Sequence, residues 1–421
     1  MTYKIDVTKF PELVSQFSDF QVDESHLEYL DGKLHTLWGL GRNLVLVWVA
    51  HERAIDALII PHYSLSEFAA QNRVDDDDPL SMIYGADERS DRSKNVLEDV
   101  ISGPKQVDDV EFSHLCKLLD GQRHHIELPF APGVDVPFVM IETLIKRYSI
   151  SYVEDRAVAL FDIVGFSLLS ALDQVTQLNS LAYSLNSAYA KMLNNDIEIS
   201  FARSTTGDGF YIWNRDRNIQ ANVNLYHFMH LVLADNAIAR SKSAPNTTPQ
   251  LRGCFHIGGH YEFYQSEGLN PTVYSYIVGD VTIELARMAD RALPGQILVG
   301  DFWVNMPDWE HGMVIKIDTV QFIEKAQETL SNLKGLVLSG DHIESIKCYL
   351  SGERLEDDSF GISRFQLADK HGRLRNVYNA KVNIYRRGSG PIYLGLQTSD
   401  LGDFEIVQKE FVKPVAEMTY E

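Results

Sequence analysis

Two aspartates, Asp162 and Asp208, stand where a carboxylate has chemical rather than packing value. The first ends an apolar run, Val158-Ala159-Leu160-Phe161, and is followed by Ile163-Val164-Gly165-Phe166-Ser167 and a long helical pattern. The second lies in Thr206-Gly207-Asp208-Gly209, between two strand-like runs. A carboxylate at the tip of a buried strand, beside a glycine turn, offers hard oxygen to a divalent cation. Two of them with a main-chain carbonyl suit Mg²⁺ or Mn²⁺, with nucleotide phosphates completing the shell. The amides of Val164, Gly165, Phe166 and Ser167, at a helix start beyond a glycine, are expected to meet phosphate oxygens. Each feature alone has a plain structural explanation, since Asp before a helix caps it and Asp-Gly makes a turn. Their joint occurrence at the ends of apolar strands points to chemistry.

The surrounding pattern says what holds them. A strand at 157–161 leads into a helix whose apolar residues step along Leu168, Leu172, Val175, Leu178, Leu181, Leu185, Ala188 and Met192, a three-to-four spacing. Residues 197–214 predict a hairpin with Asp208 at its turn, and a helix follows over 223–239. "LRGCFHIGGHYEFY" predicts a strand, a Gly-Gly break and a second strand; "TIELARMADRAL" is helical, and "PGQILVG" is a turn and a short strand. The order strand, helix, strand, strand, helix, strand, helix, strand predicts an α+β fold with a ferredoxin-like core, an antiparallel sheet flanked by helices. In that core the two aspartate-bearing strands lie side by side.

Outside this core, residues 1–145 form an N-terminal α/β region of unassigned role, with strand-like runs at 44–49 and 57–60 and a helix near 112–119. "LPFAPGVDVPF" (128–138) reads as a linker before a helix around 140–148. "VDDDDPL" reads as a solvated loop, because adjacent like charges repel. The neighbouring histidines of "RHHIE" face opposite sides of a strand and do not share a metal. The tail, 386–421, is a C-terminal extension with two short strand-like runs that serve packing.

Composition narrows the partners. The chain has 421 residues and a formal net charge of −21, which argues against coating a nucleic acid, a task that needs clustered Lys and Arg. It leaves room for a small phosphate ligand held by a few residues and a metal ion. Three distant cysteines without a Cys-x-x-Cys pair suit reduced thiols in the cytoplasm. No apolar run approaches the ~20 residues that span a bilayer, and no signal peptide is apparent. The expectation is a cytoplasmic protein with no membrane partner.

"FDIVGFS", "TTGDGF" and "GDVTIELARMADRALPGQILV" together resemble the successive motifs of class III nucleotidyl cyclases, over roughly residues 150–385. That resemblance implies a lyase in which Asp162 and Asp208 hold two divalent ions, helped by the Ile163 carbonyl. It implies that Arg287 is the transition-state arginine over the α-phosphate, where a planar guanidinium suits the developing charge. Lys370, in "DKHGRLRNVYNAKVNIY", corresponds to the lysine that grips the terminal phosphates. It further implies a homodimer whose active sites are shared between protomers.

Three positions depart from the family pattern. Ile283 replaces an asparagine that touches the ribose, and its neighbours Thr282 and Glu284 are the candidates to compensate. Ser204 and Tyr276 replace the usual purine-base contacts. A tyrosine takes up room and favours a one-ring base; a serine hydroxyl serves the O4 and N3–H edge of uracil. Arg203, next to Ser204, points to the other strand face. With these departures the chain resembles the pyrimidine cyclases of bacterial Pycsar anti-phage defence. The implied reaction converts UTP to 3′,5′-cyclic UMP, read by a separate cyclic-nucleotide effector. A cytidylate cyclase, a divergent adenylate cyclase and an inactive nucleotide-binding module are the alternatives.

Overall fold

The computed structural model describes residues 22–39, 41–63, 100–119, 121–197, 200–216, 218–266, 273–308, 313–330, 333, 335–354, 360–368, 372–402 and 404–412. The chain forms two compact units. One runs to Val153 and includes Tyr261–Ile277; the other comprises Glu154–His260 and Val278 onward.

The first unit contains α1 (Glu24–Trp38), β1 (Asn43–His51), β2 (Ala54–Pro61), α2 (Asp109–Leu118), β3 (Gln122–Glu127) and α3 (Phe138–Lys146). Its strands make an antiparallel sheet in the order β1-β2-β3. One face, with Trp48, Ile55 and Ile59, packs on Leu30 of α1 and Leu144 of α3. The other, with Leu46, Val49 and Leu58, packs on Phe112 and Leu115 of α2. Cover on both faces is why β1 and β2 read as mainly apolar runs rather than alternating ones. The segment expected to be a linker is part of this core: Leu128, Phe130 and Val136 are buried with α1 and α3. Its prolines and glycine turn the chain without releasing it from the packed interior.

One carboxylate interrupts the apolar β2. Asp56 is 1% exposed. It accepts hydrogen bonds from His51 Nε2 (2.6 Å), His125 Nδ1 (2.7 Å) and Arg123 Nε (3.1 Å). His125 lies opposite Asp56 and His124 opposite Ala57, so the adjacent histidines fall on alternate sides of β3. Burial alone would push the Asp56 carboxyl up; the bonds from His125, His51 and Arg123 outweigh it and hold the group below its ordinary range. The aspartate run at 75–78 lies outside the described residues.

The second unit is built on β4 (Ile150–Ile163), which begins in the first. In chain order there follow α4 (Ala171–Leu193), β5 (Phe201–Thr205), β6 (Gly209–Asn214), α5 (Ile219–Lys242), β7 (Leu251–Ser266) and β8 (Val273–Val278), of which Tyr261–Ile277 belongs to the first unit, then α6 (Asp280–Arg291), β9 (Ile297–Gly300), β10 (Trp303–Asp308), β11 (Met313–Asp318) and α7 (Thr319–Leu330). Then come β12 (Val337–Leu338), β13 (Asp341–Leu350), β14 (Gly352–Arg354), β15 (Phe360–Ala368), β16 (Leu374–Arg386), β17 (Ser389–Leu394) and β18 (Glu405–Val412). Among the described residues one large sheet runs β12-β13-β16-β9-β7-β4-β6-β5; β8 pairs with β7, β17 with β16, and β15 joins β14, β16 and β18. β10 and β11 form a separate hairpin. The fold is α+β, a central sheet flanked by helices. Its pairings include antiparallel β4–β6 and β5–β6 and a parallel β7–β9 contact.

Ala157, Ala159 and Phe161 of β4 pack with Leu181 and Leu185 of α4 and with Phe228 and Val232 of α5. α5 is buried around its whole circumference, polar residues His227, His230 and Asp235 included. It therefore lacks an amphipathic stripe. The break expected at Gly258-Gly259 is absent, and β7 continues through it. Glycine lacks a side chain, but its backbone still adopts the extended conformation that a ladder needs. No helix among the described residues is long and apolar enough to cross a membrane.

Candidate active site

β4 and β6 run antiparallel with Asp162 directly opposite Gly209, and the Ile163 amide donates to the Asp208 carbonyl at 3.0 Å. The turn at Asp208 is therefore drawn against the end of β4. Gly209 permits this closeness: a Cβ there would lie 1.8 Å from the Phe161 carbonyl oxygen. Thr206 Oγ1 donates to Asp208 Oδ1 at 3.1 Å and holds that carboxylate in the turn.

Side chains alternate along β4. Phe161 and Ile163 enter the core with α4 and α5, so Asp162 takes the opposite face. Leu160, on Asp162's face, pairs with Tyr211, and Tyr211 pairs with Ser204. The Tyr211 hydroxyl donates to the Thr282 carbonyl of α6 at 3.3 Å. Asp162, Ser204 and Tyr211 thus share one face, and Tyr211 joins it to α6. Arg203 takes the other face, as the alternation predicts.

Arg252 of β7 completes the charge pattern. Its Nε stands 2.8 Å from Asp162 Oδ2, and its Nη1 donates to the Ala289 and Ala292 carbonyls at 3.2 and 3.3 Å, at the end of α6. The Nε–Oδ2 approach lacks hydrogen-bond alignment, so Asp162 Oδ2 is buried without a hydrogen bond. Burial pushes the Asp162 carboxyl up, the Arg252 cation pulls it down, and the charges of Asp208 and Asp290 push it up again; it settles at about 6. One guanidinium thus faces several acids. A desolvated carboxylate oxygen whose one cationic partner is a poorly aligned guanidinium, beside a second carboxylate, fits a divalent cation with hard oxygen ligands. Among the described residues no group of three His, Cys, Asp or Glu side chains closes on one ion. The protein would supply two carboxylates and main chain, and other oxygens would fill the shell.

The remaining expected residues are distributed as follows. Arg287 lies on α6, with its Nη1 3.4 Å from Asp290 Oδ2. Ile283 is 47% exposed on the same helix. Of its neighbours, Thr282 Oγ1 donates to the Gly279 carbonyl at 2.9 Å, and Glu284 pairs with Arg375 of β16. Tyr276, on β8, belongs to the first unit, and its ring stacks on Phe263 with centroids 5.5 Å apart. Lys370 lies outside the described residues. The amide reading needs a correction. The Val164 N–H donates to the Gln250 carbonyl at 2.9 Å and is closed to phosphate. Gly165 adopts φ 70°, a 3₁₀ turn spans Phe166–Leu168, and α4 begins only at Ala171, capped by Ser170. Residues 164–167 thus precede the helix rather than open it.

Sequence reasoning missed Arg252 and Asp290. The signal for Arg252 was a cation at the start of a strand whose next positions are apolar, a place where a charge needs a partner.

No family model matches the chain, and no curated protein matches it. Solved structures with a likeness include the guanylate cyclase domain of RhGC from Catenaria anguillulae in complex with GTP. It is 13% identical, with 55% of this chain and 97% of that chain covered and a TM-score of 0.34. The adenylyl cyclase CyaB from P. aeruginosa is 16% identical, with 57% and 100% covered and a TM-score of 0.34. A guanylyl cyclase domain of the RhoGC fusion protein from Blastocladiella emersonii is 16% identical, with 40% and 97% covered and a TM-score of 0.29. Likenesses of this size are too weak to assign a family or an activity.

Proposed function

We propose that the second unit is a nucleotidyl cyclase that converts UTP to 3′,5′-cyclic UMP and diphosphate. The observation that carries this reading is the meeting of Asp162 and Asp208 at one strand end, with a buried Asp162 oxygen that lacks a hydrogen bond. The motif resemblance over residues 150–385 supports the reaction class. In the reaction the ribose O3′ bonds to the α-phosphorus, the bond from that phosphorus to the departing diphosphate breaks, and the 3′-hydroxyl loses its proton. Mg²⁺ or Mn²⁺ ions, when bound to Asp162, Asp208 and the Ile163 carbonyl, supply charge neutralisation and acidify the attacking hydroxyl.

The chain's own groups do the positioning. Arg252 balances part of the carboxylate charge while the site is free of metal. Arg287 is assigned the charge developing on the α-phosphate, and its contact with Asp290 must loosen for it to reach there. Lys370 is assigned the terminal phosphates, and the Gly165, Phe166 and Ser167 amides remain open candidates for further phosphate oxygens. Ser204 is assigned the pyrimidine edge through a hydroxyl that both donates and accepts. Tyr276 is assigned exclusion of a second ring. A second copy of the chain is part of this reading. Leu172 and Val175, one turn apart at the start of α4, are 77% and 65% exposed, and Leu168 in the preceding 3₁₀ turn is 89% exposed; a protomer would cover these apolar side chains.

The test is incubation of the full chain with each of the four NTPs and Mn²⁺, with cyclic product read by mass spectrometry. Cyclic UMP is expected. Cyclic CMP alone would reassign the base, cyclic AMP alone would make the chain an adenylate cyclase, and no product from any NTP would remove the enzymatic reading. If cyclic UMP forms, the product is a messenger that needs a separate effector to read it.

A further inference from the structure

A groove with a volume of about 380 Å³ lies in the second unit, bordered by α5 and by the ends of α4 and α7. Gln220, Asn224 and His227 line it from α5, spaced four and three positions apart and hence on one side of that helix. Asn195 and Asp196, in the turn after α4, and Thr329, in the last turn of α7, supply the rest of its polar lining. The most buried of these residues is His227, 2% exposed. Its Nε2 stands 2.9 Å from the Ala326 carbonyl and 3.0 Å from Thr329 Oγ1. A carbonyl oxygen only accepts, so Nε2 carries the proton and Nδ1 is a bare lone pair. Nδ1 is buried and has no hydrogen-bond partner. Burial pulls the imidazole down to about 4, so at neutral pH the ring is uncharged and Nδ1 remains an acceptor.

The neighbouring groups ask for donors as well. Asn195 Nδ2 donates to the Lys191 carbonyl at 2.9 Å and Gln220 Nε2 to Asn224 Oδ1 at 2.8 Å, which leaves Asn195 Oδ1 and Gln220 Oε1 to accept. Asp196 adds an exposed carboxylate. Both α4 and α7 end at the groove, and the C-terminal end of a helix is the negative pole of its dipole. The opposite pole, at the start of α5, is already capped, since Asn218 Oδ1 accepts from the Ala221 amide at 2.7 Å. Ile197 and Leu333 supply apolar contact. A buried acceptor without a donor is costly, and a guest that brings an N–H removes that cost. The volume is at the small end of the ~300–1,000 Å³ typical of ligand sites.

We propose that this groove binds a small organic cation of the guanidinium or amidinium class, with an N–H on His227 Nδ1, its charge beside Asp196 and the two helix ends, and its hydrocarbon against Ile197 and Leu333. Cations of this class carry several N–H donors in one plane and no acceptor, the complement of the acceptors gathered here. The site is separate from the carboxylate pair, because α4 and α5 pack on the Phe161 side of β4 and Asp162 takes the other side. It does not depend on the chain being a cyclase.

The test uses butylguanidinium and its neutral isostere butylurea, with binding to the full chain measured by calorimetry and ligand-observed NMR. The cation should bind at one site per chain, and the urea about tenfold more weakly or not at all. In a chain labelled with ¹⁵N-histidine, butylguanidinium should move the His227 Nδ1 resonance toward its hydrogen-bonded range and leave that of His230, whose Nδ1 already meets the Tyr226 carbonyl, in place. Asp196→Asn is an exposed change at φ 57°, a conformation that asparagine tolerates, so the fold is spared. It should weaken the cation by about two- to fivefold and leave the urea unchanged. Asp162→Ala should leave butylguanidinium affinity as it is, which separates this site from the catalytic one. Equal affinity for cation and urea, an unmoved His227 Nδ1 resonance, an unaffected Asp196→Asn variant, loss of binding in Asp162→Ala, or no binding to the wild-type chain would each overturn the proposal.

Discussion

Asp56 in the first unit and Asp162 in the second are both carboxylates removed from water, and their surroundings treat them in opposite ways. Asp56 receives two imidazoles and a guanidinium and is held below the ordinary carboxylate range. Asp162 receives one misaligned guanidinium, feels the charges of Asp208 and Asp290, and rises to about 6. A satisfied buried carboxylate organises structure. A dissatisfied one among other acids stores unfavourable energy that a cation relieves, which is the electrostatic mark of a functional site. Burial alone does not separate the two; the completeness of the partner set does.

The largest expected effect is on activity. Asp162→Ala should lower cyclic-nucleotide formation by about 10³-fold or more, with the folded far-UV spectrum unchanged. A variant that still turns over would place the chemistry elsewhere. In the first unit the corresponding change acts on stability. Asp56→Asn weakens the bonds that His51, His125 and Arg123 make to a buried carboxylate and should cost about 2–3 kcal/mol in urea unfolding, with little direct effect on turnover by the second unit.

The pH dependence sharpens the contrast because the two signs differ. Asp162 has a folded pKa raised from 3.8 to about 6, so the folded state holds its proton more tightly. With chelator present, its share of stability falls as pH rises across that window, and Asp162→Asn should recover about 1–3 kcal/mol above pH 6. Asp56, lowered in the fold, stabilises above the unfolded carboxylate pKa and loses that contribution as pH falls through its folded value. Asp56→Asn should therefore flatten the acid limb of the stability curve, and Asp162→Asn the limb above it. Parallel shifts in both variants would erase the distinction. The smallest effect belongs to Arg123→Gln. Its side chain is 55% exposed, and the loss should be about 0.5–1 kcal/mol, because solvent already screens that pair.

What the sequence disclosed follows the range of each signal. Asp162 and Asp208 were legible because local pattern alone marks a strand end and a turn, and the strand–helix–hairpin order between them implies that their strands pair. Arg252 was not, because its partner lies 90 positions earlier and no periodicity reports a contact of that kind. The same reason hid Asp56, whose partner Arg123 is 67 residues away. α5 gave a helical signal but no facing, since its whole circumference is covered. The supposed linker at 128–138 misled because Pro and Gly mark bends, and a bend inside a core looks like one outside it. The Gly-Gly pair in β7 misled for the converse reason: a residue free to turn is also free to stay straight.

Gly209 has a further consequence for how this pair of acids was built. The hydrogen that takes the place of a side chain there lets one main chain rest against another, so the gap between Asp162 and Asp208 is gauged by backbone thickness. Repacking the interior below would leave that gauge untouched. Adding a single methyl group at 209 would wedge the strands apart and detune the spacing for every cation at once.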